Sequence, residues 1–327
     1  VNGYCSPKDF ETMMQLTYLT FTAPRRDDEA FASYKNRNKA ALLNQEMNPN
    51  VAFSDSITFA LQMGHPRTIR MKADMIDNMD YNKILAMYQD RYKDASDFTF
   101  ILVGNVDVES MKPLIAEYLG ALPAINRKES FKDNKIEYRK GVYKNEFVRE
   151  QETAKASNFV SFIGTCKYDL KNSILQDMTC QIMDLVYTEK VREDEGGTYG
   201  VYVGGNLSKY PKEIAGIQIV FDTAPSKREK LMKIIFAEIE RISKEGPSEA
   251  NLNKVKEFML KKHAEDLKEN SYWMESIDEY LFTGMNPIKD YEQTVNSITA
   301  KDIQKFADDL FKQKNEVEVS MISPDKE

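Results

Sequence analysis

The stretch Lys190–Gly205, KVREDEGGTYGVYVGG, holds the junction on which the fold turns. Ahead of it, Leu175, Met178, Ile182, Leu185 and Val186 recur at helical spacing, so a long amphipathic helix runs into it. Gly196-Gly197 stops that helix, because glycine takes left-handed backbone without a Cβ clash. Thr198–Val203 is rich in aromatic and β-branched residues and reads as a strand. Arg192 therefore stands in the last helical turn, and Tyr199, seven residues on, just past the turn. Such a corner can bring a guanidinium and a phenol onto one edge, where they suit a peptide carbonyl or the oxyanion formed from it. The plain alternative is a charge that complements the helix macrodipole and a packed aromatic.

Working outward, Tyr143–Val148 and Asn158–Gly164 read as strands ahead of the helix. Ile214–Phe221 alternates as an antiparallel partner of the Tyr199 strand, with Asn206–Glu213 as the connection. A helix with Leu231, Ile235 and Ile242 on one face runs from Pro225 to Gly246-Pro247, and Ser248-Glu249 starts another. Helix continues over Tyr272–Phe282, where Tyr272, Trp273 and Tyr280 read as a core stripe.

In the first half, Ser6-Pro7 starts a helix that Pro24 ends, and Asp27-Asp28-Glu29 opens the next. Asn48-Pro49-Asn50 breaks it, and a further helix runs from Val51 towards Leu61. Asp80 caps a helix containing Ile84, Met87 and Tyr88. Phe98–Val103 has the length and apolar continuity of a buried strand. A helix over Val108–Tyr118 follows, and Leu122–Lys140 is polar and unperiodic, as a linker is.

Sliding the chain on itself exposes an internal repeat. Ser297–Ile322 aligns without a gap on Asn78–Val103, at a shift of 219. Cap falls on cap (Asp80 on Thr299), helix face on helix face (Ile84 on Ile303) and strand on strand (Leu102 on Met321). The fold class is accordingly α+β, with two homologous α/β-sandwich domains, each an antiparallel-rich sheet carrying helices. The domains are residues 1–122 and 143–327, with a linker over 123–142.

Among 327 residues the net charge is −7, with lysines and arginines spread among acids; a nucleic-acid footprint needs a concentrated basic face. No apolar run is long enough to span a membrane. Cys5, Cys166 and Cys180 are far apart and read as small core residues. The two histidines, His65 and His263, share no ligand spacing and are expected at the surface, so no metal site is assigned to this chain. No Ser/His/Asp, Cys/His or paired-carboxylate signature supports other chemistry. Glu193, Asp194 and Glu195 read as solvated surface, and Gly204-Gly205 precedes no helix and is no phosphate loop.

Three motifs together resemble the insulinase/pitrilysin family of zinc peptidases, the inverzincins, in the non-zinc C-terminal half of a large bacterial member. They are Ser6–Thr12 leading into Leu16–Arg25, Phe100–Asp107 followed by a helix and Leu122-Pro123, and the run from Arg192 through Gly-Gly-Thr-Tyr-Gly-Val. The resemblance implies that the first domain is N-terminally incomplete, lacking leading strands, so that a core or sheet edge is exposed unless a neighbour covers it. It implies that Arg192 pairs with a substrate backbone carbonyl and Tyr199 donates to the oxyanion, with Gly196, Gly197 and Gly200 keeping the backbone close. Zinc and its H-x-x-E-H motif are implied in the N-terminal half, of this protein or of a partner subunit. This chain has no such motif and is expected to be inactive alone. The implied substrate is an extended peptide, and the implied compartment the periplasm or cell envelope. A non-catalytic scaffold or binding protein of the same fold is the alternative.

Overall fold

The computed structural model describes residues 1–105, 107–195 and 200–324, and for 191–195 the backbone alone. The chain forms two compact units: residues 1–45 with 71–132, and residues 46–70 with 133–327. The helices in chain order are α1 (Phe10–Thr22), α2 (Asp28–Glu46), α3 (Pro49–Gln62), α4 (Ala73–Asp77), α5 (Tyr81–Tyr92) and α6 (Val108–Leu114), the last continuing as a π-turn over Ile115–Leu119. The strands β1 (Val142–Val148) and β2 (Ala156–Thr165) come next, then α7 (Leu170–Glu195), β3 (Val201–Ser208) and β4 (Ile214–Thr223). The chain closes with α8 (Arg228–Glu245), α9 (Glu249–Asp266), α10 (Asn270–Thr283), α11 (Tyr291–Ser297), α12 (Ala300–Phe311) and β5 (Glu316–Ile322).

In the first unit, Phe10 and Met14 of α1 pack with Met111 of α6. Phe21 meets Tyr92, Phe98 and Phe100 at centroid distances of 4.9, 4.8 and 5.9 Å. Buried Asp94 accepts from Ser96 Oγ (2.6 Å) and from the backbone N–H groups of Ser96, Ile125 and Arg127, which ties the polar segment after Leu122 to the end of α5. Those bonds, the Ser96 hydroxyl first, hold its carboxyl well below the usual range. Phe98–Val103 departs from its reading as a buried strand. It has no ladder partner among the described residues, and Phe98 and Phe100 are 38% and 39% exposed. Apolar continuity is a local signal, whereas a ladder needs a neighbour.

The second unit is built on one sheet of order β1-β5-β2-β4-β3. β1 and β5 pair in parallel, Val142 opposite Glu316; the other pairs are antiparallel. On one face lie α7, α8 and α12, with Met178, Ile182, Ile235 and Phe306 among the core residues. On the other, α3 presses Phe53 and Ala60 against Phe159, Val317, Val319 and Met321. Cover on both faces explains why β2 and β5 are near-continuous buried runs. Thus α3, grouped by its place in the sequence with the first-half elements, completes the second unit.

The repeat extends beyond its sequence signal. At shifts of 218 to 221, α1, α2, α3, α4 and α5 fall on α8, α9, α10, α11 and α12, and residues 97–103 on β5. The bounds of α5 and α12 coincide at 219, and Asp80 and Thr299 each cap their helix through backbone N–H groups.

Three further expectations are corrected. β3 runs to Ser208, so its connection to β4 begins at Lys209 rather than Asn206. Cys5 is exposed and Cys166 intermediate; of the three thiols only Cys180 is in the core. Trp273 and Tyr280 are 39% and 53% exposed, because α10 turns Ser276 and Thr283 inward instead.

Glu316 and Glu318 are two apart on β5 and so share a face, and Lys144 pairs with Glu318 at 2.5 Å. Burial, then the hydrogen bond and charge of Glu318, push the Glu316 carboxyl up from 4.5 to about 7. The folded state therefore favours the protonated acid, and stability falls as pH rises from 4.5 towards 7. Glu316→Gln should raise Tm at pH 8 and leave it unchanged at pH 4 in thermal melts; equal shifts at both would exclude the ionisation as cause.

Candidate functional site

Helix α7 carries the corner, and contacts along its length seat it. Gln176 Nε2 donates to the Gly216 carbonyl of β4 at 3.0 Å. The Val203 N–H of β3 donates to Asp184 Oδ1 at 3.2 Å. Buried Tyr187 donates to the Ile235 carbonyl of α8 at 3.0 Å, and burial pushes its phenol far above the usual value. Lys190 pairs with Glu238 of α8, which Arg241 also holds at 2.7 Å. Positions 176, 184, 187 and 190 are eight, three and three apart, which at 3.6 residues per turn keeps these contacts on one side of the helix. Burial works to raise the Glu238 carboxyl, but hydrogen bonds from Lys190 and Arg241 outweigh it and hold the group low.

Gly205 lets α7 and β3 approach. A Cβ there would meet Gln176 Nε2, the Gly216 carbonyl oxygen at 2.5 Å and Cys180 Sγ at 3.1 Å. Backbone cannot yield as a side-chain tip can, so the residue must be glycine. This role was missed in the sequence, where Gly204-Gly205 was tested only against a phosphate loop.

Helix α7 extends to Glu195, which puts Arg192 in its last turn. The Arg192 side chain, Gly196, Gly197 and Tyr199 lie outside the described residues. Gly200 is described, and a Cβ on it would meet nothing within 4 Å among the described residues. Among the described residues, close approach is seen at Gly205.

The histidines do not fit a zinc ion. His263 is buried rather than at the surface, its ring stacked on Tyr291 at 4.2 Å and its Nδ1 2.9 Å from the Tyr272 hydroxyl. Its place was legible, since Leu252, Val255, Met259 and His263 follow one helical stripe. His65 Nε2 lies 3.1 Å from the Asn134 carbonyl oxygen. Among the described residues no three His, Cys, Asp or Glu side chains gather to hold a metal. A cavity of about 640 Å³ lies beside Thr165 and Cys166. Its cations are paired, Lys171 with Asp302 and Lys312 with Asp309, and burial pushes the Cys166 thiol up to about 11, far from a nucleophile's range.

The family described as peptidase M16 inactive domain matches residues 78–259, more than half of the chain. The chain belongs to this family. That agrees with the insulinase/pitrilysin resemblance and with the mixed α/β architecture. A zinc protease PQQL-like protein of Arabidopsis thaliana is 25% identical over 82% of this chain and 30% of its own length. A probable zinc protease PqqL of Haemophilus influenzae is 22% identical over 86% and 31%. Among solved structures, the periplasmic protease PqqL of Escherichia coli has a TM-score of 0.81 at 16% identity, covering 97% of this chain and 35% of its own. A peptidase M16 inactive domain from Pseudomonas fluorescens has a TM-score of 0.76 at 19% identity, covering 98% and 76%. The chain spans about a third of the length of the curated relatives it matches. No helix among the described residues is long and apolar enough to cross a membrane.

Two outcomes are expected, one for the α7–β3 approach and one for the buried His263. Gly205→Ala should cost about 1–3 kcal/mol, read as a lower denaturant midpoint with unchanged m-value. Burial lowers the His263 imidazole below 6.5, so the unfolded chain takes up a proton that the folded chain resists. Stability should fall as pH drops below 6.5, and His263→Gln should flatten that slope in melts from pH 5 to 8.

Proposed function

We propose that this chain is the C-terminal part of a zinc metalloendopeptidase that encloses extended peptides. It supplies substrate binding and oxyanion stabilisation, while zinc and its ligands belong to an N-terminal half of the same protein or to a partner subunit. The observation that carries this reading is the inactive-domain match over residues 78–259, which spans both Arg192 and Tyr199, joined to zinc-protease relatives about three times as long. Arg192 binds a backbone carbonyl of the peptide, and Tyr199 donates a hydrogen bond to the carbonyl oxygen as it gains charge. The seating of α7 through Asp184, Tyr187 and Lys190 supports this, because a donor aimed at a transition state needs a rigid base. The periplasm or cell envelope is the proposed compartment, supported by the E. coli protease described as periplasmic.

The test is peptide hydrolysis by the full-length protein, with zinc content measured for each variant. Tyr199→Phe should lower kcat/KM by about 10²–10³-fold, the usual loss of one oxyanion donor, with zinc retained. Arg192→Ala should lower it as well. Wild-type rates in both variants would return the pair to a helix-end charge and a packed aromatic. A full-length protein that binds no zinc and cleaves no peptide would instead be a scaffold of this fold.

A further inference from the structure

We infer that the free edge of β1 is an interface. Its occupant is β1 of a second copy of this chain, laid antiparallel across a two-fold axis at Asn145. The five-stranded sheet ends in β1 on one side and β3 on the other, and the two edges differ. On β3 the Val203 N–H is taken by Asp184, so an added strand would find that rung occupied. On β1 the edge is open. The Glu316 N–H donates to the Gly141 carbonyl and the Arg149 N–H to the Ile322 carbonyl, so in the parallel register the odd positions of β1 bond β5. The even positions, Val142, Lys144, Glu146 and Val148, turn their N–H and C=O groups the other way. No strand pairs with them among the described residues. All four are exposed, Val142 by 57% and Val148 by 65%. Neither a bulge nor a proline closes this edge.

The strand itself names its partner. Val142-Tyr143-Lys144-Asn145-Glu146-Phe147-Val148 is a palindrome in chemistry. Turned about Asn145, valine meets valine (142 on 148), aromatic meets aromatic (Tyr143 on Phe147) and cation meets anion (Lys144 on Glu146). Cross-strand pairs of these kinds stabilise an antiparallel ladder, and like charges directly opposite destabilise it. The backbone allows the same register. Positions 142 and 148 are both even, as are 144 and 146, so each such pair exchanges two N–H···O bonds. The odd positions fall at the non-hydrogen-bonded sites, where side chains lie closest. A slip of one residue sets even positions against odd ones. A slip of two sets Lys144 on Lys144 or Glu146 on Glu146.

A lysine on an edge strand commonly keeps other strands away. Here its charge is met on both sides. Within the chain, Lys144 pairs with Glu318 of β5, and Glu146 with Arg228 at 2.9 Å. Across the axis, Lys144 meets Glu146 of the second copy. The row Glu318, Lys144, Glu146, Arg228 then alternates in sign through the junction. A contact of this isologous kind uses the same surface on both copies and closes on itself. It joins two five-stranded sheets into one of ten. The pairing is independent of the roles given to Arg192 and Tyr199.

The experiment is sedimentation of the full-length protein over a concentration series, beside cysteine cross-linking in a Cys5→Ser background, since Cys5 is exposed. The protein should sediment as a monomer–dimer equilibrium. Val148→Pro removes one outward N–H from each copy and touches no backbone bond to β5. It should raise the dimer Kd at least about tenfold, the loss of two backbone hydrogen bonds, with Tm retained. Asn145→Cys should form an intermolecular disulfide under mild oxidation, because the two Cα atoms face each other at about 4.5 Å. Val148→Cys should not, since it stands opposite Val142. A dimer that Val148→Pro leaves intact, or one in which position 148 cross-links as fast as 145, would overturn the proposal, because the copies then meet elsewhere. So would a monomer at every concentration; maleimide protection of Val148→Cys in that monomer would give the edge to another strand.

Discussion

The second unit depends on burying β2 and β5 on both faces. Val160 and Phe162 point to α7, α8 and α12, while Phe159, Val317, Val319 and Met321 need cover on the other side. The elements of residues 133–327 do not give that cover; α3 does, from 46–70. The arrangement follows from solvation: a two-faced apolar strand left half open would expose several large side chains to water. The chain boundary between units is therefore not the boundary in space.

The corner obeys a second constraint, the short distance between α7 and β3. Gly205 sets that distance, and Asp184, Tyr187 and Lys190 then hold the helix against β3 and α8. Each uses a different interaction: a carboxylate on an edge amide, a buried phenol on a carbonyl, and an ion pair half-screened from water. An ion pair of this kind supports orientation more than stability, since desolvation offsets much of its attraction. What reaches the last turn of α7 is a helix held by two neighbouring elements, β3 and α8.

Much of this was legible in the sequence where the signal is local. The alternation of Ile214–Phe221 marked β4 as a partner of β3, and the cap residues Asp80, Ser248 and Thr299 marked their helices. What escaped was set by partners distant in sequence. Phe98–Val103 has the composition of an inner strand but no ladder partner among the described residues. Trp273 and Tyr280 have core composition but lie on the outward side of α10, because Ser276 and Thr283 turn inward, where Thr283 Oγ1 donates to Glu279. His263 was placed at the surface by its charged neighbours, although its helical phase puts it with Met259 and Val255. In the candidate site, residue type and spacing pointed to Arg192 and Tyr199, but the need for Gly205 emerges only when Gln176 and Gly216 are brought beside it.

The place of β5 has a consequence for how the molecule comes into being. It is the last strand among the described residues, yet in the sheet it lies between β1 and β2, which are adjacent in sequence. While the chain is being synthesised, β1 and β2 emerge early, with their intended neighbour still some 150 residues away. The sheet cannot close until β5 has left the ribosome, so its assembly is a long-range event of the slow kind. Until then β2 presents an open edge that a holding factor, or a wrong strand, can occupy.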